Sequence, residues 1–126
     1  MGAFSFKKAQ RILKRDDFKR LFECGKRMHR DHFVVYYCRN SLGILRMGVT
    51  VSKRVGRAVI RNRVKRLIRE SFRLNKALCD NAYDMNIIAK TGAADLSFQE
   101  INQALGNIFR EMSKDCKYEA RVLGTH

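Results

Sequence analysis

KRVGRAVIRNRVKRLIRESFR, residues 53–73 of the chain, carries nine basic residues and a single acid, Glu70. Read as a helix from about Arg57, it has two faces. Ile60, Val64, Leu67, Ile68 and Phe72 recur at the spacing of a buried stripe. Asn62, Arg66, Arg69 and Arg73 run down the opposite side, flanked by Arg57, Arg61, Arg63 and Lys65. Arg57, Arg61, Lys65 and Arg69 follow one another at intervals of four. Like charges so spaced repel, by roughly a few tenths of a kcal/mol per pair. An anion lying along that row would remove the cost. The plain alternative is a solvated basic face. Arginine outnumbers lysine seven to two in the stretch. The planar guanidinium makes paired bonds to phosphate and stacks on bases, which favours nucleic acid. A membrane surface is the other polyanion, but the stripe is aliphatic, lacks Trp and is needed for a core.

Working outward, 126 residues suit one domain with a real core, and 45% hydrophobic residues exclude a disordered basic tail. The net charge of +15 is lopsided. Residues 1–30 carry +7, residues 53–73 carry +8, and residues 74–126 carry −1. The polyanion-facing surface is therefore expected from the first seventy or so residues, with the rest completing the fold. Cys24, Cys38, Cys79 and Cys116 are scattered without a C-x-x-C pair, which reads as reduced thiols of a cytoplasmic protein rather than a zinc site. His29 and His32 beside Asp31 read as exposed loop residues. No apolar run approaches the roughly eighteen residues of a membrane span, and nothing suggests export.

In chain order, residues 1–14 are basic with scattered Phe4, Phe6, Ile12 and Leu13, and are expected to be irregular. Asp16 or Asp17 is placed to cap a short helix holding Phe18, Leu21 and Phe22 on one side, and Gly25 to end it in a left-handed cap. Phe33–Cys38 reads as a strand, with Phe33, Val35 and Tyr37 facing one way and Val34, Tyr36 and Cys38 the other. Leu45–Ser52 alternates with Met47, Val49 and Val51 inward. A turn at residues 40–43 joins the two, so a hairpin is expected. The basic helix runs to about Asn75. Met85–Lys90 reads as another strand, and Ser97–Glu100 as a capping box opening a last helix striped by Phe98, Ile101, Leu105, Ile108, Phe109 and Met112. One α+β domain spanning residues 1–126, with residues 1–14 and 113–126 as irregular ends, is the simplest parse.

Catalysis by the polypeptide would need a carboxylate cluster for metals or a positioned base. The acids are few and scattered, and no Ser–His–Asp set or glycine-rich phosphate loop is evident. Binding of nucleic acid is favoured. Aromatics beside the bases favour RNA with unpaired segments, since exposed rings stack on splayed bases.

The run from Gly48 to Glu70, with Arg61-Asn62-Arg63 followed by Lys65-Arg66 and Arg69-Glu70, resembles the signature of the bacterial ribonuclease P protein subunit. Supporting matches lie at Arg15–Phe18 through Phe22 and Gly25, at Phe33–Tyr36, and at Tyr83-Asp84 through Ala89-Lys90. The resemblance implies an αβββαβα order, as in the second domain of ribosomal protein S5. It also implies a mostly antiparallel sheet and a left-handed βαβ crossover, where the general rule would give a right-handed one. It implies that the catalyst is a partner RNA with bound Mg²⁺, which removes the 5′ leader of precursor tRNA, and that no other protein partner is required. By position, Phe18, Phe22 and Tyr36 would line a leader cleft. Lys53, Arg54, Arg57, Arg61, Asn62, Arg63, Lys65, Arg66 and Arg69 would bind RNA, and no residue would be catalytic or hold metal. On spacing alone Phe18 and Phe22 read more often as core than as a stacking platform. Asn86 departs from the family's apolar strand residue, and Lys90 stands for its more usual Arg. A structural RNA-binding protein of the ribosomal kind would share the charge and fold class but would not explain the ordered match. A helix-turn-helix DNA binder would need a helix just before the basic one, where strands are read instead.

Overall fold

The computed structural model describes residues 10–12, 14–78 and 82–123, without the side chains of Cys24 and residues 115–123. The elements are α1 (Arg15–Cys24), β1 (Lys26–Arg30), β2 (Phe33–Arg39), β3 (Arg46–Val51), α2 (Ala58–Asn75), β4 (Tyr83–Ala89) and α3 (Phe98–Leu123). This is the αβββαβα order implied by the resemblance. The four strands form one sheet in the order β1-β2-β4-β3. β1 with β2 and β2 with β4 are antiparallel, and β3 with β4 is parallel.

The expected hairpin between residues 33–38 and 45–52 does not form. Asn40 donates its backbone N–H to the Ala82 carbonyl at 2.8 Å, so the connection steps across the end of β4. β4 then occupies the place between β2 and β3. Alternation in each strand was right, but alternation says nothing about which strand lies next to which. β1 (KRMHR) has one buried residue, Met28, among four charged or polar ones, so no apolar period marks it. It sits at the sheet edge, where charged side chains discourage further pairing.

One face of the sheet carries Phe33, Val35, Tyr37, Met47, Val51, Met85, Ile87 and Ala89, all buried. The stripes of α2 and α3 cover it. Val64, Ile68 and Phe72 of α2 and Ile101, Leu105, Ile108, Phe109 and Met112 of α3 join the same core. Phe72 and Phe109 meet edge-on, 6.0 Å between centroids, an arrangement worth about 0.5–1.5 kcal/mol beyond area burial. Between the two helices the buried Ser71 hydroxyl donates to Asn102 Oδ1 at 2.8 Å, and Asn75 Nδ2 donates to the same oxygen at 2.6 Å. The polar groups at this contact are thus paired rather than stranded.

Helix ends hold the remaining differences. Ser97 and Glu100 form the expected capping box, with backbone-to-side-chain bonds of 3.0 and 3.2 Å. The helix it opens continues to Leu123, where irregular chain was expected from residue 113. α1 starts one residue before the expected caps. Asp16 and Asp17 sit in its first turn, where the helix dipole favours acids, and no side chain caps it. Gly25 is extended, with φ −79°, not left-handed. It is glycine because a Cβ there would stand 2.5 Å from the Leu21 carbonyl oxygen. Gln10 to Ile12 are not loose: Ile12 is buried and donates its N–H to the Met47 carbonyl at 3.0 Å. Phe4, Phe6, Leu13, Cys79 and Cys116 lie outside the described residues or side chains.

Candidate nucleic-acid interface

The second face of the sheet is only partly covered. Partners in a ladder point to the same side, so three cross-strand rows lie on this face. Cys38, Asp84 and Arg46 form the first row. Arg27, Tyr36, Asn86 and Gly48 form the second, and His29, Val34, Ile88 and Thr50 the third. α1 lies across the first row, and Asn86 of the second with Thr50 and Ile88 of the third line an open groove of about 770 Å³. Arg15, Phe18, Lys19 and Phe22 of α1 form one wall, with Asn86 and Ile88 in the floor and Lys65 of α2 on the far side. A smaller hollow beside Phe18, about 250 Å³, continues to Arg11 and Arg69. The groove therefore opens onto the basic helix.

Phe18 and Phe22 line this groove, and Tyr36 stands against Phe22 beside it. A Cβ at position 48 would overlap the Phe18 ring, so glycine lets that ring lie directly on β3. Phe22 is 67% exposed, which removes the reading of it as core. Leu21, fully buried, takes that role. The Phe22 and half-buried Tyr36 rings stand 5.3 Å apart at 43°. An exposed apolar ring paired with a second ring, beside Lys19 and Arg15, is a surface on which an unpaired base can stack under a neutralised phosphate.

What fixes α1 over the sheet is a charge cluster that the sequence reading missed. Asp84, with no exposed side-chain surface, accepts from Arg46 Nε at 2.8 Å, Arg46 Nη2 at 2.6 Å, Asn40 Nδ2 at 2.7 Å and Arg20 Nη2. Arg20, from α1, also donates to Cys38 Sγ at 2.9 Å, and Asp17 lies 3.6 Å from Arg46. Burial by itself would raise the Asp84 pKa. The bonds from Arg46 and Asn40 and the charges of Arg46 and Arg20 outweigh it and hold the carboxyl below its ordinary value. Residues 20, 46 and 84 are far apart in the chain, and no local pattern links them.

The other half of the interface is α2. Asn62, Arg66 and Arg69 on it, and Arg57 at its N-cap, are exposed, as are Lys53 and Arg54 in the 3-10 turn Lys53–Val55 before it. Arg61, Arg63 and Lys65 are half-buried at its flanks. Among the described residues, two of the nine bases, Arg63 and Arg73, have protein partners. Arg63 donates to the carbonyls of Ala94 at 3.5 Å and Leu96 at 3.3 Å, holding the segment after β4. Arg73 bonds Glu70, and that hydrogen bond, larger than the opposing effect of burial, keeps the Glu70 carboxyl below its ordinary value. Arg73 is thus largely neutralised. The free row is Arg57, Arg61, Lys65 and Arg69 with Asn62 and Arg66.

Asn86, whose burial the sequence left open, is 9% exposed and lies in the groove floor. His29 is exposed on β1 beside Lys90 rather than in a loop, and His32 is half-buried in the β1–β2 turn. Among the described residues no three His, Cys, Asp or Glu side chains are grouped to hold a metal ion, and no helix is long and apolar enough to cross a membrane.

With this geometry in place, three comparisons bear on identity. The family model described as Ribonuclease P matches residues 6–113. The ribonuclease P protein component of Desulfosudis oleivorans is 43% identical over 115 residues, 91% of this chain and 95% of that protein. That of Geotalea uraniireducens is 43% identical over 114 residues, 90% of this chain and all of that protein. The solved Staphylococcus aureus RNase P protein superposes with a TM-score of 0.76 at 38% identity, covering 83% of this chain and 96% of that one.

Proposed function

The chain belongs to the bacterial ribonuclease P protein family, the protein component of a tRNA-processing endoribonuclease, and from that premise we propose how its two surfaces divide the work. The exposed face of α2, with Lys53 and Arg54 before it, holds the catalytic RNA subunit. The groove between α1 and the sheet takes the unpaired 5′ leader of precursor tRNA. The observation that carries this division is the exposed Phe22 ring against Tyr36 in a groove that opens onto the basic helix. Phosphate contacts along α2 supply affinity without reading sequence. Ring stacking in the groove recognises a single strand, which mature tRNA lacks at its 5′ end.

Cleavage belongs to the RNA partner in this reading, with Mg²⁺ bound there. The scattered acids of the chain offer no paired carboxylates for a two-metal hydrolysis. By keeping the leader in place, the protein raises the fraction of substrate held at the RNA active site. Neither a second protein nor a membrane is needed, and the protein works in the cytoplasm.

The test is binding of precursor and mature tRNA by the RNA–protein complex. The complex should prefer the leader-bearing substrate, and Phe22→Ala should reduce that preference without changing affinity for mature tRNA. Equal losses on both substrates would remove the groove from leader recognition.

A further inference from the structure

Two polar side chains, Asn86 and Thr50, lie among the apolar strand residues that line the groove. Val34 and Ile88 lie in one row, and the next row centres on Asn86, flanked by Tyr36 and Gly48. Asn86 is nine-tenths buried, in a strand whose neighbours Met85 and Ile87 are fully buried. A polar side chain so placed costs free energy unless its hydrogen bonds are met. Only part of that demand is met within the protein. The Thr50 hydroxyl donates to Asn86 Oδ1 at 3.2 Å. The amide nitrogen donates to no described residue, and it is not among the polar atoms sealed from solvent. Its opening is the groove, which Asn86 and Thr50 both line.

We propose that Asn86 reads the edge of one leader base and makes ribonucleolytic processing selective at that leader position. This rests on the groove being the leader site. A base stacked against Tyr36 or Phe22 has its edge turned toward the floor, where Tyr36 and Asn86 are direct cross-strand partners. The amide offers an N–H donor beside an oxygen that keeps a second lone pair. One complement is an edge with a ring-nitrogen acceptor beside an exocyclic amino donor. Adenine and cytosine present that edge. Guanine and uracil carry the opposite order, a ring N–H donor beside a carbonyl acceptor, which the same amide meets when the base faces it the other way round, so a strand held in one direction fits one pair of bases and not the other. The Thr50 hydroxyl occupies one lone pair of Asn86 Oδ1 and leaves the amide nitrogen open to the groove. An aliphatic residue at 86 would accept any base by stacking and contact alone, because every base has a π-face.

The experiment uses the complex of RNA subunit and protein with precursor tRNAs in which each leader position in turn carries A, C, G or U. The wild-type protein should favour one of these two pairs, A and C or G and U, at one position by about 5-fold or more, the low end for a paired amide–base contact. Asn86→Leu should bring the four affinities at that position within about 2-fold of one another. Asn86→Ser, smaller and still polar, gives the same reading if the leucine variant melts early. Mature tRNA is the control. Leader-dependent binding with the same base profile in wild type and both variants would overturn the role of Asn86 alone. A wild-type complex indifferent to the leader would overturn the groove assignment and this inference with it.

Discussion

Tyr36 and Asp84 show how single residues on the open face of the sheet act differently. Tyr36 offers a ring to the groove, and stacking is worth about 1–3 kcal/mol per base. Tyr36→Ala should therefore weaken binding of leader-bearing substrate by about that amount and leave mature tRNA unaffected, as titrations of both would show. Asp84 touches no groove surface; it ties α1 to β3 and β4 through Arg20 and Arg46. Its carboxyl is held below the ordinary value, so the folded protein binds that proton less readily than the unfolded chain. The stabilisation is complete above the ordinary carboxylate range and is lost as pH falls through the lowered folded value. Melting temperature should thus fall more steeply on acidification in wild type than in Asp84→Asn, and parallel curves would remove Asp84 from the acid response. At neutral pH, Asp84→Asn leaves the two buried-side guanidiniums less well paired and should lower stability.

At the scale of elements, α2 is the plainest case, because its two faces fail differently. Ile68 is fully buried, and Ile68→Ala should cost about 2–5 kcal/mol of stability. Arg66 is exposed and has neighbours of like charge, so Arg66→Ala should leave the thermal melt nearly unchanged or raise it slightly. Both faces of α2 were legible because a long helix with a 3.6-residue period writes its burial into the sequence. The same holds for α3, whose start is marked by Ser97 and Glu100. β1 was legible only through family resemblance: it is five residues long, four of them charged or polar, and its alternation buries Met28 alone. α1 was half legible. Its apolar positions were plain, but only the three-dimensional arrangement separates Leu21, which enters the core, from Phe22 one residue on, which does not.

For the whole molecule, sheet order is what the chain could not announce. The strands at Phe33–Arg39 and Arg46–Val51 follow each other in sequence yet sit on opposite sides of β4. Such pairing is non-local, and burial of the sheet against α2 and α3 decides it rather than any local pattern. The consequence is functional: placing β4 centrally brings Asn86 beside Tyr36 and Gly48 and puts a polar floor under the groove. The charge division was legible, since +7 and +8 in the first seventy or so residues against −1 in the last fifty-three foretell one basic surface. Purified protein without the RNA subunit should not cut precursor tRNA at the 5′ junction in Mg²⁺, as gel analysis of the products would show; specific cleavage would place a catalytic centre on the polypeptide.

The most direct test of α2 as the RNA-binding face is the salt dependence of binding to the RNA subunit, compared between wild type and Arg66→Ala/Arg69→Ala. Each phosphate contact contributes about 0.7–0.9 to the slope of log K against log salt, depending on whether the strand is single or duplex. The double variant should show a slope flatter by up to about twice that, with an unchanged melting temperature. An unchanged slope would mean that these arginines face only water, and the assignment of α2 would be wrong.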